Sequence, residues 1–404
     1  MSPPEPTRPR DCIPQVMVDP FCREFLLNPE RYYAGLQTPG PVIWLGSYHV
    51  RAMARWPEVS AALQDWQSFS SAAGVGLEDF RKTQPWRPSS LLLEVDPPIH
   101  TRTRSVMSRI LSKSALEGLR AEWTLRAESL VDKLTKSRTF DAVGDLAAAF
   151  PLQVFPDAVG LPTEGRENLL PFGNMVFNSF GPRNDIFRES VKHAEPIVAW
   201  IMDQCRREVL RPGGFGAQVF EGVDRGELTP QEAPVLVRSM LTAGLDTTVS
   251  ALGSALYAFA MFPDQYNILR NDPTRVRASF DEVVRWASPV QTFFRTTTRS
   301  VDIAGVTIPG DAKVLLFLGA ANRDPERWPD PHRFDITRKT LGHVGFGSGI
   351  HGCVGQMVAR LEAEVVLHAL IKRVASIKIV GEPRRYPNNT LRALSSLPVC
   401  VVAA

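Results

Sequence analysis

Cysteine is scarce and scattered. Cys12, Cys22, Cys205, Cys353 and Cys400 show neither CxxC nor CxxCH spacing. An odd number of distant thiols argues against a disulfide framework, a structural zinc site and covalent c-type haem attachment. A dominant charge is missing too. The formal net charge is only +3, too little to imply a nucleic-acid partner. No long apolar run exists. The longest, 249–262, is interrupted by Ser250, Gly253, Ser254 and Tyr257 and falls short of the roughly 20 residues of a membrane span. Residues 1–10 lack the apolar core of a secretory signal, and 1–19 are read as a disordered or extended lead. These absences point to a cytoplasmic monomer with no membrane and no nucleic-acid partner.

No repeat, low-complexity run or Gly/Ser linker interrupts residues 20–404, which read as one domain. A short hairpin pattern flanks Leu45-Gly46-Ser47, and helical periodicity covers 57–65 and 98–111. Most of 114–270 is also helical by pattern. Strand character returns at 301–303, 306–308, 314–317, 376–380 and 398–401. The expected class is mainly α with small β-sheets.

Thr229-Pro230-Gln231-Glu232 predicts a helix start, with Thr229 and Glu232 as a capping box and Pro230 in the first turn. That helix should run about thirty residues, until Pro263 stops it. Its middle, Ala243-Gly244-Leu245-Asp246-Thr247-Thr248, is poor helix sequence, because Gly, Asp and paired Thr compete with the backbone ladder. Two readings stand: a close packing point for another helix, or a widened turn beside a ligand.

Around Cys353, glycines at 347, 349, 352 and 355 follow Phe346. A helix begins just after, with Val358, Leu361, Val365 and Ala369 at steps of three and four. Cys353 at that N-terminus would gain thiolate character from free N–H groups and the helix dipole. A buried apolar cysteine would not need four glycines. A cysteine nucleophile would need an orienting acid that is not evident beside His351. Axial ligation of haem iron fits best.

The run Phe346-x-x-Gly349-x-His351-x-Cys353-x-Gly355 resembles the haem-binding signature of the cytochrome P-450 family. Glu282-Val283-Val284-Arg285, about 70 residues upstream, resembles that family's helical Glu-x-x-Arg pair. On its own, a Glu/Arg pair at this spacing is usually a solvated one. Ala243-Gly244-x-Asp246-Thr247-Thr248 resembles its oxygen-activation segment. The resemblance spans 20–404 and implies a single P-450 domain carrying haem b. It implies Cys353 as proximal iron ligand, Asp246 and Thr247 as the acid–alcohol pair delivering protons, and Ala243 and Gly244 as haem-side backbone. It further implies His100, Arg104, Arg295 and His351 as propionate contacts, with Glu282 and Arg285 bracing the core with the loop at 322–325 and 333–334.

Within the family, Arg87-Pro88-x-Ser90-Leu91, Val176-Phe177-Asn178-x-Phe180-Gly181, Ser239 and 288–296 resemble bacterial members that oxidise para-substituted benzoates. That resemblance implies Arg87, Ser90 and Ser239 around a carboxylate and Phe177, Phe180 and Phe293 around a ring. Thr242 stands where those members carry Ser, adding a methyl to the pocket. The implied reaction uses O2 and two electrons to demethylate or hydroxylate the para group of a benzoate such as 4-methoxybenzoate. Another small acid, a terpenoid or a fatty acid is the alternative, and a haem-thiolate sensor is the non-enzyme alternative. No reductase domain fits in 404 residues, so a [2Fe–2S] ferredoxin with an NAD(P)H-dependent reductase is expected. Arg102, Arg109, Lys113, Arg360, Lys372 and Arg373 are candidates for its basic docking face.

Overall fold

The computed structural model describes residues 13–404. Most of the proposed N-terminal lead lies outside the described residues. Within its remainder, Gln15–Val16 forms a strand paired parallel with Trp44 and Leu45, so the fold begins before residue 20.

The helices that position the site are α1 (Ile99–Ile110), α2 (Lys113–Ser137), α3 (Leu169–Asn178), α4 (Glu232–Ala243), α5 (Asp246–Met261), α6 (Val276–Ala287) and α7 (Gln356–Arg373). The α7 stripe found in the sequence is buried as expected, and the burial is wider than that stripe, taking in Val366, Leu367 and Leu370, while His368 and Lys372 stay exposed on the remaining face of the helix. Along one side it lies against α2, and ion pairs from Lys372 and Arg373 to Glu128, at 3.0 and 3.1 Å, close the far end.

A six-stranded sheet forms one side of the molecule, in the order 15–16, 43–45, 50–53, 313–317, 292–297, 69–70. The hairpin expected around Leu45-Gly46-Ser47 pairs Ile43 with Ala52 within it. The strand period of two separates neighbours in Thr292–Thr297. Phe293 and Arg295 face the central cavity, while Phe294 enters a second core with Phe21, Phe317 and Leu315. The strands at 301–303 and 306–308 pair as a hairpin, and the strand at 398–403 lies between those at 374–379 and Thr139–Asp141, pairing antiparallel with both.

The long helix is broken, and two sequence expectations about it need correction. It starts at Glu232: the Thr229 N–H donates to Glu232 Oε2 at 2.8 Å, which is half of the capping box, and the Thr229 hydroxyl caps nothing. Pro263 does not merely stop it but opens the next helix, Pro263–Asn271, after a bend of 103°. No single helix among the described residues is long and apolar enough to cross a membrane, and only that bent pair reaches the length and composition together.

Candidate active site

Helices α1, α3, α4, α5 and α7, with the strand at 292–297, enclose a cavity of about 590 Å³. Cys353 lines it. The carbonyl of Phe346 accepts the Cys353 N–H at 2.8 Å, and Gly347 and Gly349 take φ of +69° and +66° to turn the loop. At Gly349 a side chain would run into the Leu63 carbonyl, so that glycine is required by close approach. The backbone amides of Gly355 and Gln356, opening α7, favour the thiolate, as the sequence predicts. Their pull, with that of Arg104 and Arg360, is outweighed: burial raises the Cys353 thiol overall. A helix N-terminus alone therefore does not make this thiol a thiolate. A bound metal cation would.

Across the cavity stands the break between α4 and α5. Leu245 leaves regular helix geometry at φ −107°, ψ −64°. The Thr247 hydroxyl donates to the Ala243 carbonyl at 2.8 Å, and that of Thr248 to Gly244 at 3.3 Å. Both readings of this segment hold. A side chain at Gly244 would overlap the Phe155 ring, and Ala243, Gly244 and Thr247 line the cavity. Asp246 points away into protein. Its Oδ2 has no hydrogen-bond partner among the described residues, and burial pushes its carboxyl well above the ordinary range.

Glu362, which sequence reasoning missed, sits on α7 in contact distance of Thr248. It is fully buried, neither oxygen has a hydrogen-bond partner among the described residues, and burial raises its carboxyl strongly. Its position on the helix after the cysteine loop carries no local signal, because only packing of α7 against α5 brings it there.

His100, Arg104, Arg295 and His351 do come together. The two imidazoles meet edge-on at 4.4 Å, and Nε2 of each is buried without a hydrogen bond among the described residues, that of His351 lying 3.9 Å from Asp96 Oδ1. Arg295 is buried, its Nη1 donating only to the Phe294 carbonyl at 2.8 Å, and burial lowers it to about 10. Arg104 has no carboxylate partner among the described residues and lines the cavity beside Cys353. Unanswered buried donors are costly. Buried imidazole nitrogens without hydrogen bonds, two guanidiniums without an ion pair among the described residues and one cavity-facing thiol suit a macrocycle with two carboxylates and one axial sulfur ligand.

Glu282 and Arg285 are not the solvated pair that their spacing alone would suggest. Both side chains are fully buried and bonded twice, at 2.6 and 2.7 Å. Arg285 also donates to the carbonyls of Asn322 and Pro331, and the Asn322 side chain receives the Val344 N–H at 2.8 Å. The pair thereby braces the segment that leads into the cysteine loop.

At the other end of the cavity lie Arg87, Ser90 and Ser239, with the two hydroxyls 3.2 Å apart. Phe177, Phe180 and Phe293 form an edge-to-face chain with ring centroids 5.7 Å apart at each step. The Thr242 hydroxyl is spent on the Arg238 carbonyl at 2.9 Å. Arg87 is not free: it makes a bidentate pair with buried Glu94 at 2.7 and 2.8 Å and lies over the Phe180 ring at 4.8 Å. Arg238, missed in the sequence, lines the same end. It donates to the carbonyls of Pro88 and Ser89 and has no ion-pair partner among the described residues.

The basic docking face expected from the sequence is largely neutralised. Arg102 pairs with Glu232, Arg109 with Glu227, Arg360 with Asp281, Lys372 with Glu128, and Arg373 with Glu128 and Asp132. Only Lys113 of the six lacks such a partner among the described residues. Sequence shows the cations but not the carboxylates that fold against them.

Residues 215–391 match the family model described as Cytochrome P450. The chain is 53% identical over 393 residues to cytochrome P450 CYP199A2 of Rhodopseudomonas palustris, covering 97% of this chain and 95% of that one. It is 30% identical to the cytochrome P450 monooxygenase PikC of Streptomyces venezuelae, over 93% of this chain and 92% of that one. Among solved structures it resembles P450BioI in complex with a fatty-acyl-ligated acyl carrier protein, with a TM-score of 0.84, 26% identity, and coverage of 94% of this chain and 100% of that one. The chain belongs to the cytochrome P450 family of haem-thiolate monooxygenases, whose members hold haem b by a cysteine thiolate.

Proposed function

We propose that this monooxygenase oxidises a small aromatic carboxylate at its para position, by O-demethylation or hydroxylation of a benzoate such as 4-methoxybenzoate. The observation that carries the reading is the polar end of an otherwise apolar cavity, where Arg87, Arg238, Ser90 and Ser239 converge beside three phenylalanines. A carboxylate leaves water at a cost of several kcal/mol unless charge and hydrogen bonds await it. Guanidinium and hydroxyl donors at one end answer that cost. The edge-to-face rings hold an aromatic body, and the para group is directed to the Cys353 side.

Cys353 is the residue that would ligate iron, and His100, Arg104, Arg295 and His351 would hold the propionates. When bound, haem supplies one-electron chemistry and the activation of dioxygen. The chain's own residues manage protons around it. Burial pushes the Asp246 carboxyl toward its protonated form, and Thr247 presents a hydroxyl that can accept a proton and pass one on. Hydroxylation of a methoxy carbon yields a hemiacetal that collapses to formaldehyde and a phenol. Electrons would come from a [2Fe–2S] ferredoxin and its NAD(P)H-dependent reductase.

Spin-state difference spectra with 4-methoxybenzoate and with 4-methoxybenzamide test the reading. The acid should produce the high-spin shift at far lower concentration than the amide. Equal responses, or none to the acid, would exclude an aromatic carboxylate.

A further inference from the structure

The polar end of the cavity holds a carboxylate that the proposed reaction does not use. Glu94 has a side chain with no exposure, and it accepts four N–H groups: both terminal nitrogens of Arg87 at 2.7 and 2.8 Å, the Ser90 amide at 3.0 Å and the Val75 amide at 3.4 Å. It therefore grips, on one loop, two of the residues that face the ligand. Arg87 cannot turn both of its terminal nitrogens to a ligand while that pair stands.

Arg87 and Glu94 cancel. Ser90 and Ser239 are neutral. Arg238 is seven per cent exposed, its guanidinium bonds only to the neutral carbonyls of Pro88 and Ser89, and it has no acid partner among the described residues. Among Arg87, Glu94, Ser90, Ser239 and Arg238 there is thus one uncompensated positive charge, not the two that the arginines suggest.

We infer that Glu94 is a specificity-determining positioning residue: it neutralises and orients Arg87, so that the site is matched to a monoanionic head group and discriminates against a dianion. This inference rests on the aromatic-acid reading and sharpens it. One excess charge in a poorly solvated pocket is balanced by one carboxylate. A second negative charge would enter without a partner, at a penalty that low dielectric magnifies.

The test separates charge from shape. Dissociation constants for 4-methoxyphenyl phosphate and 4-methoxyphenyl sulfate are compared by calorimetry and by spin-state titration of the haem-loaded protein. At about pH 8 the first is a dianion and the second a monoanion of nearly the same form. The native protein should favour the sulfate by about tenfold or more. Glu94→Gln keeps the side-chain shape, releases the Arg87 charge, and should shift that ratio toward the phosphate by about tenfold or more. The reduced, CO-bound Soret band reports that the variant still folds around a thiolate-ligated haem. An unchanged ratio in a variant that keeps the band overturns the inference, because a merely structural Glu94 would not move charge preference.

Should Glu94→Gln lose haem, Arg238→Gln decides. It removes the uncompensated charge, so the preference of 4-methoxybenzoate over its amide should collapse by about tenfold or more. An intact preference there overturns the inference. If the native protein itself does not prefer the acid to the amide, the aromatic-acid reading fails first, visibly and apart from either variant.

Discussion

Gly173 on α3 lies directly against Asp246 at the start of α5. A side-chain carbon on Gly173 would overlap the Asp246 carboxyl, so the absence of a side chain at one position sets the place of an acid in another helix. The contact explains how Asp246 is buried while its neighbour Thr247 reaches the cavity.

Gly173→Ala should therefore act on chemistry as well as stability. Overpacking of this kind costs about 1–3 kcal/mol. The thermal midpoint should fall, and product formed per NAD(P)H consumed should drop, with haem content retained. Full coupling in the variant would show that the Asp246 position is not held by this contact.

Thr247→Ala removes the hydroxyl at the helix break without touching the cavity's polar end. Positioned proton transfer contributes about a hundredfold or more. Electron consumption should continue while product yield falls at least about tenfold, the balance appearing as reduced oxygen species. Unchanged coupling, measured as product against NAD(P)H, would remove Thr247 from the relay.

Glu362 gives a pH signature. Its carboxyl is raised by burial in the folded chain, so stability from this group is complete below the unfolded value and is lost as pH rises through the folded one. Glu362→Gln is neutral at every pH. Relative to the native protein it should gain thermal stability progressively as pH rises above the ordinary carboxylate range. A difference that is flat with pH would mean that Glu362 is not held protonated.

Arg285→Lys tests the brace behind the cysteine loop. Lysine cannot reproduce the two parallel bonds to Glu282 together with those to Asn322 and Pro331. Breaking a buried pair costs about 3–5 kcal/mol. The haem-to-protein ratio and thermal midpoint should both fall sharply, whereas Lys372→Gln, at an exposed pair, should change either little.

Thr242→Ser removes one methyl from the cavity wall and leaves its hydroxyl bonded to the Arg238 carbonyl. At about 0.8 kcal/mol per buried CH2, affinities should move by about fourfold at most. Benzoates with larger para groups should gain relative to 4-methoxybenzoate in spin-state titrations. A loss for all of them would place the methyl in productive contact instead.

Much was legible in the chain itself. Local chemistry announces itself locally: the glycines around Cys353, the helix-breaking run at 243–248 and the period of α7 each state a physical requirement that no neighbour need supply. The family motifs place Cys353, Asp246 and Thr247 together; the structure brings Cys353 and Thr247 to one cavity and buries Asp246 in protein beside it. The two-residue strands Gln15–Val16 and Phe69–Ser70 escaped because so short a run carries no period.

What only the tertiary structure decided is which charges are cancelled. Arg87 and Glu94 are seven residues apart and, as sequence, merely two opposite charges. Arg238 reads as an ordinary helix cation, and the six basic candidates for a docking face read alike. Folding buried Glu94 under Arg87, left Arg238 unanswered and paired most of the surface cations with acids distant in the chain. A residue's identity determines the charge it can carry. Which partner answers that charge depends on contacts between segments far apart in sequence, and those exist only once the core has packed.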